Sequence, residues 1–344
     1  MYSKLTFVLL ATVFATCLGA YTCRTGTVVN RPVNNQPYTF PINWDDNQTA
    51  PALAAGQDCS WVVTIPQGYY AKLIISGDLT DSVGYIQMVD TNGNVQKTKH
   101  ENKNPYFFPS PKFTLIVDNQ AAATFAFKVV WAPFPVGTSF EALVDLYAKV
   151  VDVTKEVFAG KLDCSNSCSM FSFPVDTISF FNLRSVLVFS GLGYNGTYLT
   201  SLYQMYKNPM QWIGPPTILY IVNLQASGAD DKLLVQSSAF TSDIKLYEEL
   251  NCIPSSTCTI PLNNGPGKSG LVYAGNQNQT LTDIFMDKTA TLTVYYGSQT
   301  HFALYKTYQG STIQKMLPLT FKGGFMTNYI ISAGKSIFTF SLSG

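Results

Sequence analysis

The sequence predicts an all-β protein made of tandem antiparallel β-sandwiches of the jelly-roll type. Three observations carry this expectation. The chain holds 23 Phe and 20 Tyr and is rich in Thr, Val and Ile, residues that suit half-buried strands. Short apolar runs are punctuated by turn signals at Pro66-Gln67-Gly68, Asn92-Gly93, Asn264-Gly265-Pro266-Gly267 and Gly323-Gly324, the rhythm of a sandwich. One strand–loop–strand unit also recurs three times along the chain. With 344 residues, 46% of them hydrophobic and 12% charged, there is material for several cores.

The first element is a leader. Lys4 precedes an apolar run from Leu5 to Leu18, and the small residues Gly19 and Ala20 follow. This is the pattern of a secretory signal peptide, with cleavage expected close to Ala20. The run is shorter than the ~20 residues that span a bilayer. No second spanning segment is expected, and the ending SIFTFSLSG lacks the apolar tail of a lipid-anchor signal. The expected organisation is a signal peptide at 1–20 and three sandwich domains at 21–136, 137–249 and 250–344.

Net charge is +1, and losing Lys4 leaves 21 basic against 21 acidic residues. Such a chain exerts no long-range pull on phosphates, which argues against nucleic acid as a partner. It also has no basic run for an anionic membrane surface.

Cys17 leaves with the leader, and six cysteines remain: Cys23, Cys59, Cys164, Cys168, Cys252 and Cys258. An even count in a secreted chain implies three disulfides. Proximity favours Cys23–Cys59, Cys164–Cys168 and Cys252–Cys258, among 15 arithmetically possible pairings. Sequons at Asn47, Asn195 and Asn278 predict a glycoprotein.

The repeat defines the elements. Ala71–Asn94 aligns without gaps on Ser185–Asn208, placing Gly77 on Gly191 and Leu73 on Leu187. A third copy runs from Ala290 to Gly310, with Leu292 in the same place. Downstream, the stretches from Pro111 and Pro216 resemble each other, and NYIISAGKSIFTFSLS closes the third copy. Between the first two units lies SFEALVDLYAKVV, from Ser139, which reads either as a short helix or as the first strand of the second unit. In CSWVVTIPQGYYAKLIISGD, alternation puts Tyr69, Ala71, Leu73 and Ile75 inward. Tyr70 then faces out, as a recognition residue or as cover for the sheet. On the same alignment, Leu183 points inward and Arg184 outward.

Nothing in the sequence reads as catalytic. The two histidines, His100 and His301, lie apart and without a Cys or Asp pattern around them. There is no nucleophile elbow, phosphate loop or His-Glu-x-x-His. Cys164-x3-Cys168 with Cys252-x5-Cys258 is looser than structural zinc spacing, and secreted cysteines oxidise. Asp78, Asp81 and Asp90 give calcium fewer ligands than the six to eight oxygens it takes, and the aligned positions are Leu192, Asn195 and Gln204. The expectation is therefore no catalytic residue, no metal site and no cofactor. Tyr70, Asp78 and Asp81 stand as the candidate ligand-binding residues, since bare loops on a rigid sandwich commonly carry recognition.

CSWVVTIPQGYYAKLIISGD, YFFPSPKFTLIVDN and ATFAFKVVW resemble the CUB-like domain of a large nematode family of secreted proteins. NGTYLTSLY, ATLTVYYGS and LYKTYQGSTIQ resemble the C-terminal part of the same family. The resemblance implies a CUB-type sandwich in the first unit and a role in innate immune or stress defence. Association with membrane rafts is implied only as far as it holds for some relatives. No enzymatic activity or ligand comes with it. The second disulfide of ordinary CUB domains is missing, and their acidic calcium set is not clearly matched.

The function expected is non-enzymatic binding of microbial or host extracellular glycans or proteins. A structural component of a mucus-like matrix is the first alternative, and an enzyme assembled from distant residues is the second.

Overall fold

The computed structural model describes residues 19–136, 140–144, 147–175, 180–208, 210–253, 255–263, 265–324 and 326–343. Residues 1–18, which hold the apolar run expected to be a leader and Cys17, and also Ser139 and Asn264, lie outside the described residues.

The strands of the first unit are β1 (Thr27–Val29), β2 (Tyr38–Phe40), β3 (Ala52–Leu53), β4 (Gln57–Thr64), β5 (Tyr69–Asp78) and β6 (Tyr85–Val89). They continue as β7 (Val95–Thr98), β8 (His100–Asn102), β9 (Tyr106–Pro109), β10 (Lys112–Asn119) and β11 (Ala123–Pro133). The second unit holds β12 (Phe140–Leu143), β13 (Lys149–Asp152), β14 (Phe158–Cys164), β15 (Cys168–Phe173) and β16 (Val186–Ser190). It closes with β17 (Thr197–Ser201), helix α1 (Leu202–Lys207), β18 (Trp212–Ile213), β19 (Thr217–Asn223) and β20 (Lys232–Ser237). The third holds β21 (Ile244–Glu249), β22 (Thr257–Asn263), β23 (Lys268–Tyr273), β24 (Asn278–Met286) and β25 (Thr291–Tyr296). Its last strands are β26 (Leu304–Gln309), β27 (Leu319–Phe321), β28 (Thr327–Ile331) and β29 (Lys335–Ser343).

Each unit is a sandwich of two sheets. In the first, β1-β4-β10-β6-β7 faces β2-β11-β5-β8, with β3 beside β11 and β9 beside β5. The second repeats this as β12-β14-β19-β16-β17 over β13-β20-β15-β18, and the third as β21-β23-β28-β25-β26 over β22-β29-β24-β27. In all three the opening strand pairs in parallel with its neighbour, β1 on β4, β12 on β14 and β21 on β23. The other registers are antiparallel. Within the stretch that reads as helix or strand, Phe140–Leu143 begins the second sandwich as a strand.

Two expectations need correction. The strand Ile244–Glu249 pairs in the third sandwich, so the division between units two and three falls before residue 244 and not at 249/250. The gapless repeat alignment is displaced by one strand in the first copy. Leu187 lies on β16, whose place in the topology is that of β6, whereas Leu73 lies on β5, the counterpart of β15. Leu292, on β25, matches Leu187 but not Leu73.

The glycines tell the same story. Gly77 lies within β5, one residue from its end, where a Cβ would press at 3.1 Å on both Ile86 and Phe125. Gly191 turns a hairpin at φ +102°, as Gly297 does at +114°. Gly191 N–H reaches the Ile218 carbonyl at 2.7 Å, and Gly297 N–H reaches that of Met326 at 2.8 Å. The two hairpin glycines are thus equivalent to each other, and Gly77 to neither. The closing strands aligned from the sequence do correspond: β10 and β11 with β19 and β20, and with β28 and β29.

Each sandwich has its own core, around Trp61, Leu73 and Phe127 in the first, Leu162, Val188 and Val235 in the second, and Leu281, Tyr329 and Phe338 in the third. Two further apolar clusters lie between sandwiches. Tyr70, Phe107 and Phe134 of the first pack on Leu187, Phe189 and Tyr220 of the second. Phe171, Phe173 and Leu234 of the second pack on Tyr247, Val272 and Ile330 of the third. The same geometry is used twice: the sheet that holds β5 in the first unit, and its counterpart that holds β15 in the second, lies on the five-stranded sheet of the next.

Disulfides join Cys23 to Cys59, Cys164 to Cys168 and Cys252 to Cys258. Among the described residues no helix is long and apolar enough to cross a membrane.

Candidate functional site

Tyr69 packs against the first core, with the Arg31 guanidinium 4.2 Å above its ring. Tyr70 points to the opposite face, as alternation requires. That face is not open surface, because the second sandwich covers it. The Tyr70 ring lies 6.0 Å from Phe107 and 5.5 Å from Phe134, and burial pushes its phenol above the ordinary range. The expectation of an exposed outer tyrosine fails because the sequence of one strand does not reveal a neighbouring domain.

The acidic loop is occupied by its own backbone. Asp81 accepts N–H bonds from Val83 at 3.0 Å, from Gly84, and from Gln120 at 3.2 Å. These bonds, the one from Gly84 foremost, hold its carboxyl below the usual range. Asp78 is exposed, 3.7 Å from His100 Nδ1. Asp90 is buried and accepts from the backbone of Asn92 and Asn94 and from Asn94 Nδ2, each at 2.9 Å. Gln204, which the displaced alignment laid on Asp90, instead donates to it across the seam at 2.9 Å. Among the described residues no group of three His, Cys, Asp or Glu is placed to hold a metal ion. His100 and His301 are both exposed.

Of the sequons, Asn47 and Asn195 are exposed. Asn278 is partly buried, and its Oδ1 accepts from Gly323 N–H at 3.1 Å.

One sizeable concavity was missed by sequence reasoning. A cleft of about 660 Å³ opens between the first and second sandwiches. The Phe180–Ser185 turn and α1 form one wall, and β7, β8 and Tyr106 form the other. Helix α1 is set by a capping box, with Ser201 accepting from Gln204 N–H and the Gln204 side chain accepting from Ser201 N–H.

A buried ion pair forms the floor of this cleft. Arg184 donates to Glu101 through Nη1 at 3.2 Å and Nη2 at 3.0 Å, and Nη1 also reaches the Asn104 carbonyl at 3.1 Å. The Tyr106 hydroxyl donates to the same carboxylate. The guanidinium lies 3.7 Å over the Tyr106 ring and 4.6 Å from that of Phe181. Arg184 is outward only with respect to its own sandwich. Its Nε has no acceptor among the described residues.

Two exposed cations stand at the mouth, Lys97 over the Tyr85 ring at 3.6 Å and Lys207 over Phe180 at 4.8 Å. Glu101 is the carboxylate in this lining and is already paired, so the cleft is cationic. A signal for it existed in FFNLRSVLVF. A lone charge in so apolar a run is exposed only at high cost to its neighbours, and otherwise requires a buried partner.

Residues 19–135 match the CUB-like domain family. They are a CUB-like domain. Residues 239–343 match a domain family of unknown function (DUF7591), a span that begins just before β21, as the strand pairing does. No curated protein matches the chain. Among solved structures, the CUB1-EGF-CUB2 domains of rat MASP-1 align at 8% identity over 91% of this chain and 99% of that one, with a TM-score of 0.24. The full extracellular region of zebrafish Gpr126/Adgrg6 aligns at 10% identity over 93% of this chain and 52% of that one, with a TM-score of 0.26. The cleft therefore has the CUB-like domain as one wall and the middle sandwich as the other.

Proposed function

We propose that this chain is a secreted, non-enzymatic glycoprotein that binds acidic carbohydrate in the cleft between its CUB-like domain and its middle sandwich. The observation that carries the reading is the convergence there of half-exposed rings with unpaired cations. Phe180 and Phe181 offer apolar faces of the kind on which sugar rings stack, and Lys97 and Lys207 offer donors to a carboxylate or sulfate. Exposed lysines raise the encounter rate with anions and make it salt-dependent. The buried Arg184–Glu101 pair fixes the floor so that little is spent on ordering it at binding.

A place in innate immune or stress defence, and any raft association, rest on the family resemblance alone. The matrix-component alternative needs open-ended self-association. The outer sheet of the third sandwich bears the threonine pairs Thr259–Thr339 at 3.4 Å and Thr280–Thr320 at 3.1 Å around one exposed apolar pair, Phe285 and Ile337, an isolated contact rather than a continuous apolar seam, and so favours a discrete binder.

The test is a glycan array carrying uronic, sialylated and sulfated sugars beside neutral ones. Selective binding of acidic glycans, lost at least tenfold in Lys97→Ala/Lys207→Ala with the melting temperature unchanged, is the expected result. Equal binding of neutral glycans, or full binding by the double variant, would remove the reading.

A further inference from the structure

A second cavity, of about 270 Å³, lies at the other seam, between the middle and third sandwiches. The end of β15 supplies Phe173, the stretch before β20 supplies Asp230, and β20 supplies Lys232. From the third sandwich, β21 supplies Glu249 and β23 supplies Tyr273. The volume is that of about nine waters at ~30 Å³ each, room for a small organic molecule.

The charges facing this space are unequal. Lys232 is committed to Asp152, and Asp230 lies 3.7 Å from Lys155. The Glu249 carboxylate accepts no hydrogen bond and makes no ion pair among the described residues. Tyr206 of α1 faces it electrostatically. Tyr273 accepts from Gln277 N–H at 3.2 Å, which leaves its own O–H free to donate. A carboxylate with neither a hydrogen-bond nor an ion-pair partner in a partly enclosed cavity costs free energy when the cavity is empty unless that group is protonated.

We propose that this pocket binds a small organic cation, an alkylammonium or guanidinium group, with Glu249 as counter-ion and the Phe173 and Tyr273 rings as the walls against which it packs. Carboxylate and aromatic faces together are the chemistry that holds a desolvated cation. The proposal does not depend on the acidic-glycan reading of the other cleft. Burial pushes the Glu249 carboxyl up to about 8, so at neutral pH the empty pocket holds a proton. The cation takes the ionised form, and binding expels that proton to solvent.

The experiment is calorimetric titration of the whole protein with n-butylammonium and with neutral n-butanol, between pH 6 and 9, in buffers of different ionisation heat. Butylammonium should bind and butanol should not. Affinity should rise about tenfold per pH unit below 8 and level off above it, with about one proton released per cation at pH 7, as linkage requires. Glu249→Gln should abolish binding, whereas Asp230→Asn should change it less than threefold. Equal affinity for the alcohol, survival of binding in Glu249→Gln, or no binding at pH 9 would overturn the proposal. If Glu249→Gln does not fold, the wild-type protein decides: binding without proton release is an equally clear refutation.

Discussion

The middle sandwich and the two end sandwiches share one topology but are written in different sequence patterns. On β4, β10 and β29 burial alternates residue by residue. On β15 every residue is buried, and on β16 and β20 nearly every one is. A sheet covered on one face needs an apolar residue at every second position, while a sheet covered on both faces needs them throughout. The middle unit is covered on both sides because each seam repeats the same sheet-on-sheet contact. The end units each keep one solvated sheet, in the manner of capping repeats.

Outward residues of the middle sandwich should therefore behave as core. Phe189→Ala, at the first seam, should cost about 3–5 kcal/mol, and Leu187→Ala about 2–5. Gln87→Ala, on the matching strand β6 of the CUB-like domain, should stay within about 0.5 kcal/mol. Chemical denaturation of the three variants measures this, and a mild Leu187 variant would break the comparison.

Glu101→Ala should cost about 3–5 kcal/mol, because it leaves the buried Arg184 guanidinium without its carboxylate. Joint replacement by Glu101→Gln and Arg184→Met should cost less than the single change, since no charge is left buried. A double-mutant cycle provides the reading.

Removing Cys23–Cys59, which spans 36 residues, should cost roughly 4 kcal/mol on loop entropy. Removing Cys164–Cys168, which spans 4, should cost roughly half that. Calorimetry of the two Cys→Ser pairs would rank an end unit against the middle one.

The smallest contrast concerns the paired tyrosines. Tyr69→Ala and Tyr70→Ala should now lose similar stability, about 1–3 kcal/mol each, because both rings are half-buried. A neutral Tyr70→Ala would mean that the first seam opens in solution.

The same difference in pattern decides how much was legible in the sequence. Alternation on β5 gave its inner face, Ala71, Leu73 and Ile75, and the paired closing strands gave the threefold repeat. The first copy was set one strand out because β5 and β16 both run apolar into Ser-Gly, and on β16 no alternation remains to fix a register. Arg184 and Glu101 are 83 residues apart, and the cleft they floor exists only once two domains meet. Tyr70, Asp78 and Asp81 were chosen on a single-domain picture. The first is covered by the middle sandwich and the third is held by its own loop.

The twofold cover of the middle sandwich also bears on how the chain is made. Synthesis delivers the CUB-like domain first, and the middle unit then emerges with two apolar faces. One has the first domain to pack against. The other, with Phe171, Phe173 and Leu234, stays bare until β21, β23 and β28 arrive. For the time needed to translate some ninety residues, several seconds at ~5–20 residues per second, the nascent protein carries a sheet face ready to adhere to its neighbours. A chain cut near residue 240 would keep that face for good. The third sandwich, whatever it binds, is therefore also the lid on an apolar face that the first two would leave bare.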